Sequence, residues 1–165
     1  PNTVAALLVS GADLRLWLER SFSQFRQIAP RAQDAPLLDP DFPSFTFDTI
    51  DGLTWAVDLA APPWVDAKGA ASTPPRRIVD LSYQGKPLAP DQPFVLATNS
   101  YRASGGGAFP GLDGSNVILT APDENRQALL DYLQATRKVQ PSADGNWRIQ
   151  PVPGVKLRFT GGTPR

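Results

Sequence analysis

Eighteen prolines in 165 residues constrain this chain more than any other feature. Proline removes a backbone donor and breaks helix interiors, so regular elements must fit between its clusters. Residues 30–44 and 60–75 each hold four prolines with little periodicity and read as long surface loops. With 13 glycines elsewhere, the chain predicts many turns and long connections around one core. A 41% hydrophobic content in this length supplies one ordinary domain and is too little chain for two.

Between the breaks, local patterns assign the elements. Residues 3–9 (TVAALLV) form a buried strand, and Ser10–Gly11 turns the chain. From Ala12 the period changes: Leu14, Trp17, Leu18, Phe22 and Phe25 share one helical stripe. Asp13 in the first turn and Arg26 in the last complement the helix dipole, and Pro30 stops the helix. Phe45, Phe47 and Thr49 alternate with polar residues, Asp51–Gly52 turns, and Thr54–Leu59 alternates again, which predicts a hairpin. Arg77–Tyr83 and Phe94–Thr98 are strands, separated by a turn at Gln84–Pro87. Residues 99–115 are a Gly-rich loop, and Val117–Leu119 is a short strand. Thr120 and Asp123 resemble a capping box that opens a helix to about Arg137, with Leu129, Leu130, Tyr132 and Leu133 on its apolar side. Trp147–Gln150 and Lys156–Phe159 are late, short strands. Strands and helices mix without strict alternation, so the expected class is α+β, with helices covering a mostly antiparallel or mixed sheet.

Absences exclude several chemistries. The chain has no Cys and no His, so Ser–His–Asp and Cys–His sites are impossible, and metal sites built on imidazole or thiolate with them. Carboxylates remain as Ca²⁺ or Mg²⁺ ligands, but Asp39/Asp41 and Asp48/Asp51 are better read as loop solvation and turn chemistry. Sixteen basic residues balance sixteen acidic ones, against a nucleic-acid partner. No apolar run approaches the ~20 residues of a membrane span. Methionine is absent even at position 1, and the chain is therefore expected to be a processed or excised piece of a longer protein.

The stretch Thr98–Pro110 (TNSYRASGGGAFP) is the most unusual, and it follows a buried strand that fixes its position. Gly105, Gly106 and Gly107 let backbone approach a ligand closely and expose N–H groups, with Tyr101 and Phe109 on either side. An aromatic face beside bare main chain suits a flat heterocycle: the ring stacks and the amides read its edge. The competing reading is a flexible loop with two core aromatics. Arg102 is read as a structural or surface ion pair. No Gly-Lys-Ser/Thr follows the glycines and no helix opens directly after them, which excludes a Walker loop and a dinucleotide fingerprint.

The order of motifs adds a resemblance. Pro1-Asn2-Thr3-Val4 is followed by Gly11-Ala12-Asp13-Leu14 with Trp17-Leu18-Glu19, then Phe47-Asp48-x-Ile50-Asp51-Gly52 and Gly85-Lys86-Pro87-Leu88. Ala97-Thr98-Asn99-Ser100-Tyr101-Arg102-Ala103-Ser104-Gly105-Gly106, Ala121-Pro122-Asp123-Glu124-Asn125-Arg126 and Asn146-Trp147-Arg148 complete the series. Almost the whole chain resembles the C-terminal, substrate-binding domain of the 5′-nucleotidase family, and within it the bacterial 2′,3′-cyclic-nucleotide 2′-phosphodiesterase/3′-nucleotidase branch. The resemblance implies a single nucleoside-binding domain over residues 1–165 and a periplasmic setting. Hydrolysis would be done by two divalent metal ions in an N-terminal metallophosphoesterase domain, with no cofactor in the present chain and no activity of its own. Tyr101 takes the place of one of two rings that sandwich the base in that family, and the other ring would fall immediately before Pro1. Asn2 takes the place of a residue at the base edge, and Ser104, Gly105, Gly106 and Gly107 the place of the substrate loop. The 5′-nucleotidases carry an Asp where this chain has Gly107, a departure that argues for a 2′,3′-cyclic or 3′-phosphate over a 5′-nucleotide or sugar nucleotide. A non-catalytic module binding a protein or wall component through the loops at 30–44 and 60–75 is the alternative from another class.

Overall fold

The computed structural model describes residues 1–160. In chain order the elements are β1 (Thr3–Ser10), α1 (Gly11–Phe22), β2 (Ala35–Pro36), a 3₁₀ turn (Ser44–Thr46), β3 (Leu53–Val57), β4 (Ile78–Tyr83), β5 (Lys86–Pro87), β6 (Pro93–Asn99), α2 (Ser100–Ala103), β7 (Val117–Glu124), α3 (Asn125–Thr136), β8 (Trp147–Ile149) and β9 (Leu157–Arg158). Strands β6-β1-β7 form one antiparallel sheet; β5-β4-β3-β8 form a second, mixed one; β2 and β9 pair in parallel. The α+β expectation holds.

The core lies around α1. Ala5, Leu7 and Val9 alternate inward from β1 and meet the buried Leu14, Trp17, Leu18 and Phe22 of the helix, as the stripe predicted. Phe22 is the hub of an aromatic cluster, with ring centroids 5.0 Å from Trp147, 5.3 Å from Phe47, 5.5 Å from Phe25 and 6.0 Å from Trp55. Each such ring contributes about 1.5–3 kcal/mol by burial, and the edge-on pairs somewhat more. A capping box starts α1: Asp13 N–H donates to Ser10 Oγ at 3.2 Å and Ser10 N–H to Asp13 Oδ2 at 2.8 Å.

Three local expectations are corrected. The helix ends at Phe22, not near Arg26, because the Arg77 guanidinium takes the carbonyls of Phe22 and Phe25 and terminates the turn. Phe25 still packs in the core, bridged to Leu38. The predicted hairpin does not form, and β3 pairs with β4 and β8. Pro43 starts a 3₁₀ turn that Thr46 closes, its N–H and Oγ1–H both donating to Pro43 O, and Asp48 N–H donates to Ser21 Oγ at 2.7 Å. Polar groups of this segment thus go to α1, to its own turn and, from Phe45 O, to Arg102, in place of a ladder. The capping box at Thr120 is likewise absent: β7 runs through Pro122 to Glu124, which its edge position in the sheet tolerates. Leu129, Leu130, Tyr132 and Leu133 of α3 remain exposed.

Glu19 is fully buried and ties α1 to the start of β4, accepting from Ile78 N–H at 2.9 Å and Arg77 N–H at 3.1 Å. Burial pushes its carboxyl above the ordinary 4.5, outweighing those two bonds and the nearby Arg15 and Arg77. A carboxyl raised in the folded state takes up a proton on folding within that window. Its stabilising contribution is therefore complete below about 4.5 and is lost as pH rises through the folded value. Melting curves of the parent and Glu19→Gln should diverge in the parent's favour as pH falls from 7 towards 4.5; a pH-independent difference would refute the assignment.

Candidate functional site

Strand β6 delivers the chain into α2, and Asn99 caps that turn: Arg102 N–H donates to Asn99 Oδ1 at 2.8 Å. The segment expected to be loop thus begins as one helical turn, with Tyr101 on its outer side and Arg102 on its inner side. Tyr101 is 46% exposed, whereas Phe109 is buried against Trp17 at 5.2 Å. Tyr101, Asn2, Phe45, Asn99 and Arg102 line an open cleft of about 430 Å³. A neighbouring cavity of about 310 Å³, reaching Trp17 and Asp48, shares Asn99 with it.

Arg102 builds this corner. Its Nε and Nη2 meet Asp48 Oδ2 and Oδ1 at 2.8 and 2.9 Å, a two-pronged pair, while Nη2 also donates to Phe45 O at 2.8 Å and Nη1 to Gly106 O. The guanidinium lies 4.2 Å over the Phe109 ring. Trp17 Nε1–H donates to Asp48 Oδ2 at 3.0 Å. The structural reading of Arg102 is the one observed, but Asp48 is no turn residue: it is the counter-charge of a buried cation. With both charges engaged by each other, the cleft presents aromatic faces and the two carboxamides of Asn2 and Asn99.

The glycines act differently from the expectation of free amides. Gly105 N–H donates to Arg102 O at 3.1 Å, Gly106 N–H to Tyr101 O at 2.9 Å, and Ser104 N–H to Ser100 O at 3.1 Å, so the turn itself occupies the amides of Ser104, Gly105 and Gly106. Ser104, Gly105, Gly106 and Gly107 do not line the cleft; Asn2 and Tyr101 do. Gly106 lies directly under the Tyr101 ring, where a Cβ would collide with it. Gly107 has φ +83° and abuts the Arg102 guanidinium, so an Asp there would be strained and would break the Arg102 network. Its carbonyl accepts from the buried Arg20, whose Nη2 is 3.0 Å away. Among the described residues no group of three or more His, Cys, Asp or Glu is placed to hold a metal ion, and no helix is long and apolar enough to cross a membrane.

Sequence reasoning missed Phe45 and Asn99 as cleft residues. Asn99 carries a findable signal, an Asn at a strand end directly before the turn it caps, three residues ahead of the N–H it accepts. Phe45 does not, because alternation places it on the same side as Phe47, and only the 3₁₀ turn separates the two.

Comparison with known proteins gives a consistent picture. Residues 1–114 match the family model of the 5′-nucleotidase C-terminal domain. The chain is 44% identical over 160 residues to the trifunctional nucleotide phosphoesterase protein YfkN of Bacillus subtilis, covering 96% of this chain and 11% of that protein. It is 41% identical over 170 residues to the 2′,3′-cyclic-nucleotide 2′-phosphodiesterase/3′-nucleotidase of Haemophilus influenzae, covering 96% of this chain and 26% of the relative. The chain therefore spans about a quarter or less of the curated relatives it matches. The fold is also that of a solved 5′-nucleotidase precursor from Thermus thermophilus, with a TM-score of 0.67 at 20% identity over 91% of this chain and 26% of that one.

Proposed function

This chain belongs to the 5′-nucleotidase C-terminal domain family, and on that premise we propose that it grips the nucleoside of a 2′,3′-cyclic or 3′-nucleotide for a phosphodiesterase/nucleotidase of which it is one domain. The observation that carries this reading is the half-exposed Tyr101 ring, held rigid on α2 and facing a neutral cleft with the Asn2 carboxamide. A phenol face stacks a base, which is worth roughly 1–3 kcal/mol, and a carboxamide is a donor–acceptor pair matched to a base edge. Among the described residues the cleft offers no free cation, since its Arg102 is paired with Asp48, and in this reading the phosphate points outwards. Names of the relatives that cover nearly all of this chain support the substrate class. The strained, crowded position of Gly107 supports a 2′,3′-cyclic or 3′-phosphate over a 5′-nucleotide, since the ribose-binding Asp of 5′-nucleotidases has no room there.

In this reading the whole enzyme is periplasmic, and an N-terminal metallophosphoesterase domain would hold two divalent ions, which would supply water activation and stabilisation of the phosphoryl transition state. The present residues bind and orient. Steady-state kinetics of the full-length protein test it. Tyr101→Ala should raise KM for a 2′,3′-cyclic nucleotide roughly tenfold or more with kcat changed little, since stacking holds ground and transition states alike. An unchanged KM would overturn the stacking role.

A further inference from the structure

We propose that the outer face of the β6-β1-β7 sheet is covered, in the full-length protein, by polypeptide that precedes Pro1. The inference rests on one part of the reading above, that this chain is one domain of a longer protein, and not on base stacking. Residues 4–9 of β1 and 94–97 of β6 are apolar without a break. An antiparallel sheet with one face in water alternates apolar and polar side chains, whereas an unbroken apolar run belongs to a sheet covered on both faces. One face is covered by α1, over Ala5, Leu7 and Val9. On the other, the register puts Leu8 opposite Val95, and Ala6 between Ala97 and Leu119, so these five side chains form one patch. It carries no charge, and Leu8, Val95 and Leu119 are 53%, 67% and 58% exposed. Helix α3, which leaves this sheet directly after β7, has no buried residue either. Single apolar side chains are ordinary at a surface, but a charge-free patch across three strands marks a contact.

The family and the topology indicate the occupant. The family matched is that of a C-terminal domain, and the chain spans about a quarter or less of its curated relatives. The chain enters the sheet through β1, its central strand, whereas β9 pairs with β2 in a separate sheet. A segment leading into Thr3 is thus tethered at the end of the patch, which makes its docking intramolecular and favours it over a second copy. A patch without charge offers nothing to steer a separate partner and suits a permanent cover that completes a core.

The test uses the full-length protein. A benzophenone amino acid at position 95 is photo-activated and its adducts are mapped by mass spectrometry. Melting is recorded for Val95→Lys, Leu119→Lys and Phe159→Lys, the last at a site 68% exposed and outside this sheet. The adduct should join position 95 to residues upstream of Pro1 in the same molecule. Val95→Lys and Leu119→Lys should each lower the melting temperature by roughly 5 °C or more, up to failure to fold, because a charge is placed beneath the cover. Phe159→Lys should stay within about 2 °C of the parent, as an exposed substitution does. Adducts between two molecules, or a concentration-dependent melting that the lysine variants lose, would assign the face to a second copy and overturn the proposal. Adducts confined to residues 1–165, no adduct, or lysine variants that melt with Phe159→Lys overturn it as well. An unchanged KM in Tyr101→Ala ends the stacking role without altering any of these readouts, so the two failures are told apart.

Discussion

Replacing Arg102 with Ala is expected to destabilise the domain by about 3 kcal/mol and to weaken nucleotide binding at the same time. Removing one partner of a buried ion pair typically costs about 3–5 kcal/mol, because the other charge is left uncompensated. The lower end applies because Asp48 is 23% exposed and keeps its bond from Trp17. The carbonyls of Phe45 and Gly106 lose their donor, and Phe109 loses the cation 4.2 Å above its face. For a domain of this size the loss corresponds to a fall of roughly 6–12 °C in its melting temperature. Both aromatic residues of the cleft hang on this side chain, Tyr101 through the chain itself and Phe45 through its carbonyl. KM for a 2′,3′-cyclic nucleotide should therefore rise at least as far as in Tyr101→Ala. Arg102→Lys keeps the charge but not the planar fork, so it should recover only part of the stability. A melting temperature within about 2 °C of the parent's, or an unchanged KM, would show that the network does not organise the cleft.

How much of this was legible beforehand depends on the range of each interaction. The period of Leu14, Trp17, Leu18 and Phe22 marked α1 because it repeats within the helix, and β1 was legible as a continuous apolar run. Tyr101 stood out because an aromatic follows an apolar strand and precedes three glycines; that strand, β6, was expected to be buried but lies at a sheet edge with Val95 exposed and no residue fully buried. Arg102 and Asp48 lie 54 positions apart, and nothing local links them. A similar separation hid Phe45, whose carbonyl is held by Arg102, 57 positions away. The false hairpin has this origin too: Phe45–Thr49 alternates correctly, but Ser21, Trp17 and Arg102 claim its polar groups from outside the segment. The glycines misled in a different way. Their φ freedom was read as an opening for a ligand, yet Gly106 and Gly107 make room for two side chains of the protein itself, the Tyr101 ring and the Arg102 guanidinium.

Arg77→Ala should be the more damaging substitution for stability, and should leave nucleotide recognition alone. Arg77 is fully buried at the start of β4, and burial pushes its guanidinium down to about 10 against the nearby Glu19 and Asp58. It donates through Nη1 to Phe22 O at 2.9 Å and to Phe25 O, and through Nη2 and Nε to Ala61 O at 2.8 and 3.3 Å. One side chain thereby closes the end of α1 and anchors the proline-rich connection at 60–75. Truncation leaves the carbonyls of Phe25 and Ala61 without a donor and Phe22 O with only the Phe25 N–H, removes a cation near buried Glu19 and opens a cavity, a combined cost of about 3–5 kcal/mol. Arg77→Met restores volume without the donors and should lie between the two. Because Arg77 and Glu19 share one buried site, Glu19→Gln combined with Arg77→Met should cost less than the sum of the single losses. None of these groups lines the cleft. Thermal melting of Arg77→Ala should thus drop on the order of 10 °C, while KM measured well below that transition stays at the parent's value. A KM that rises as in Arg102→Ala would mean the two buried arginines belong to one cooperative frame, with the nucleotide cleft set by the whole core and not by its local corner.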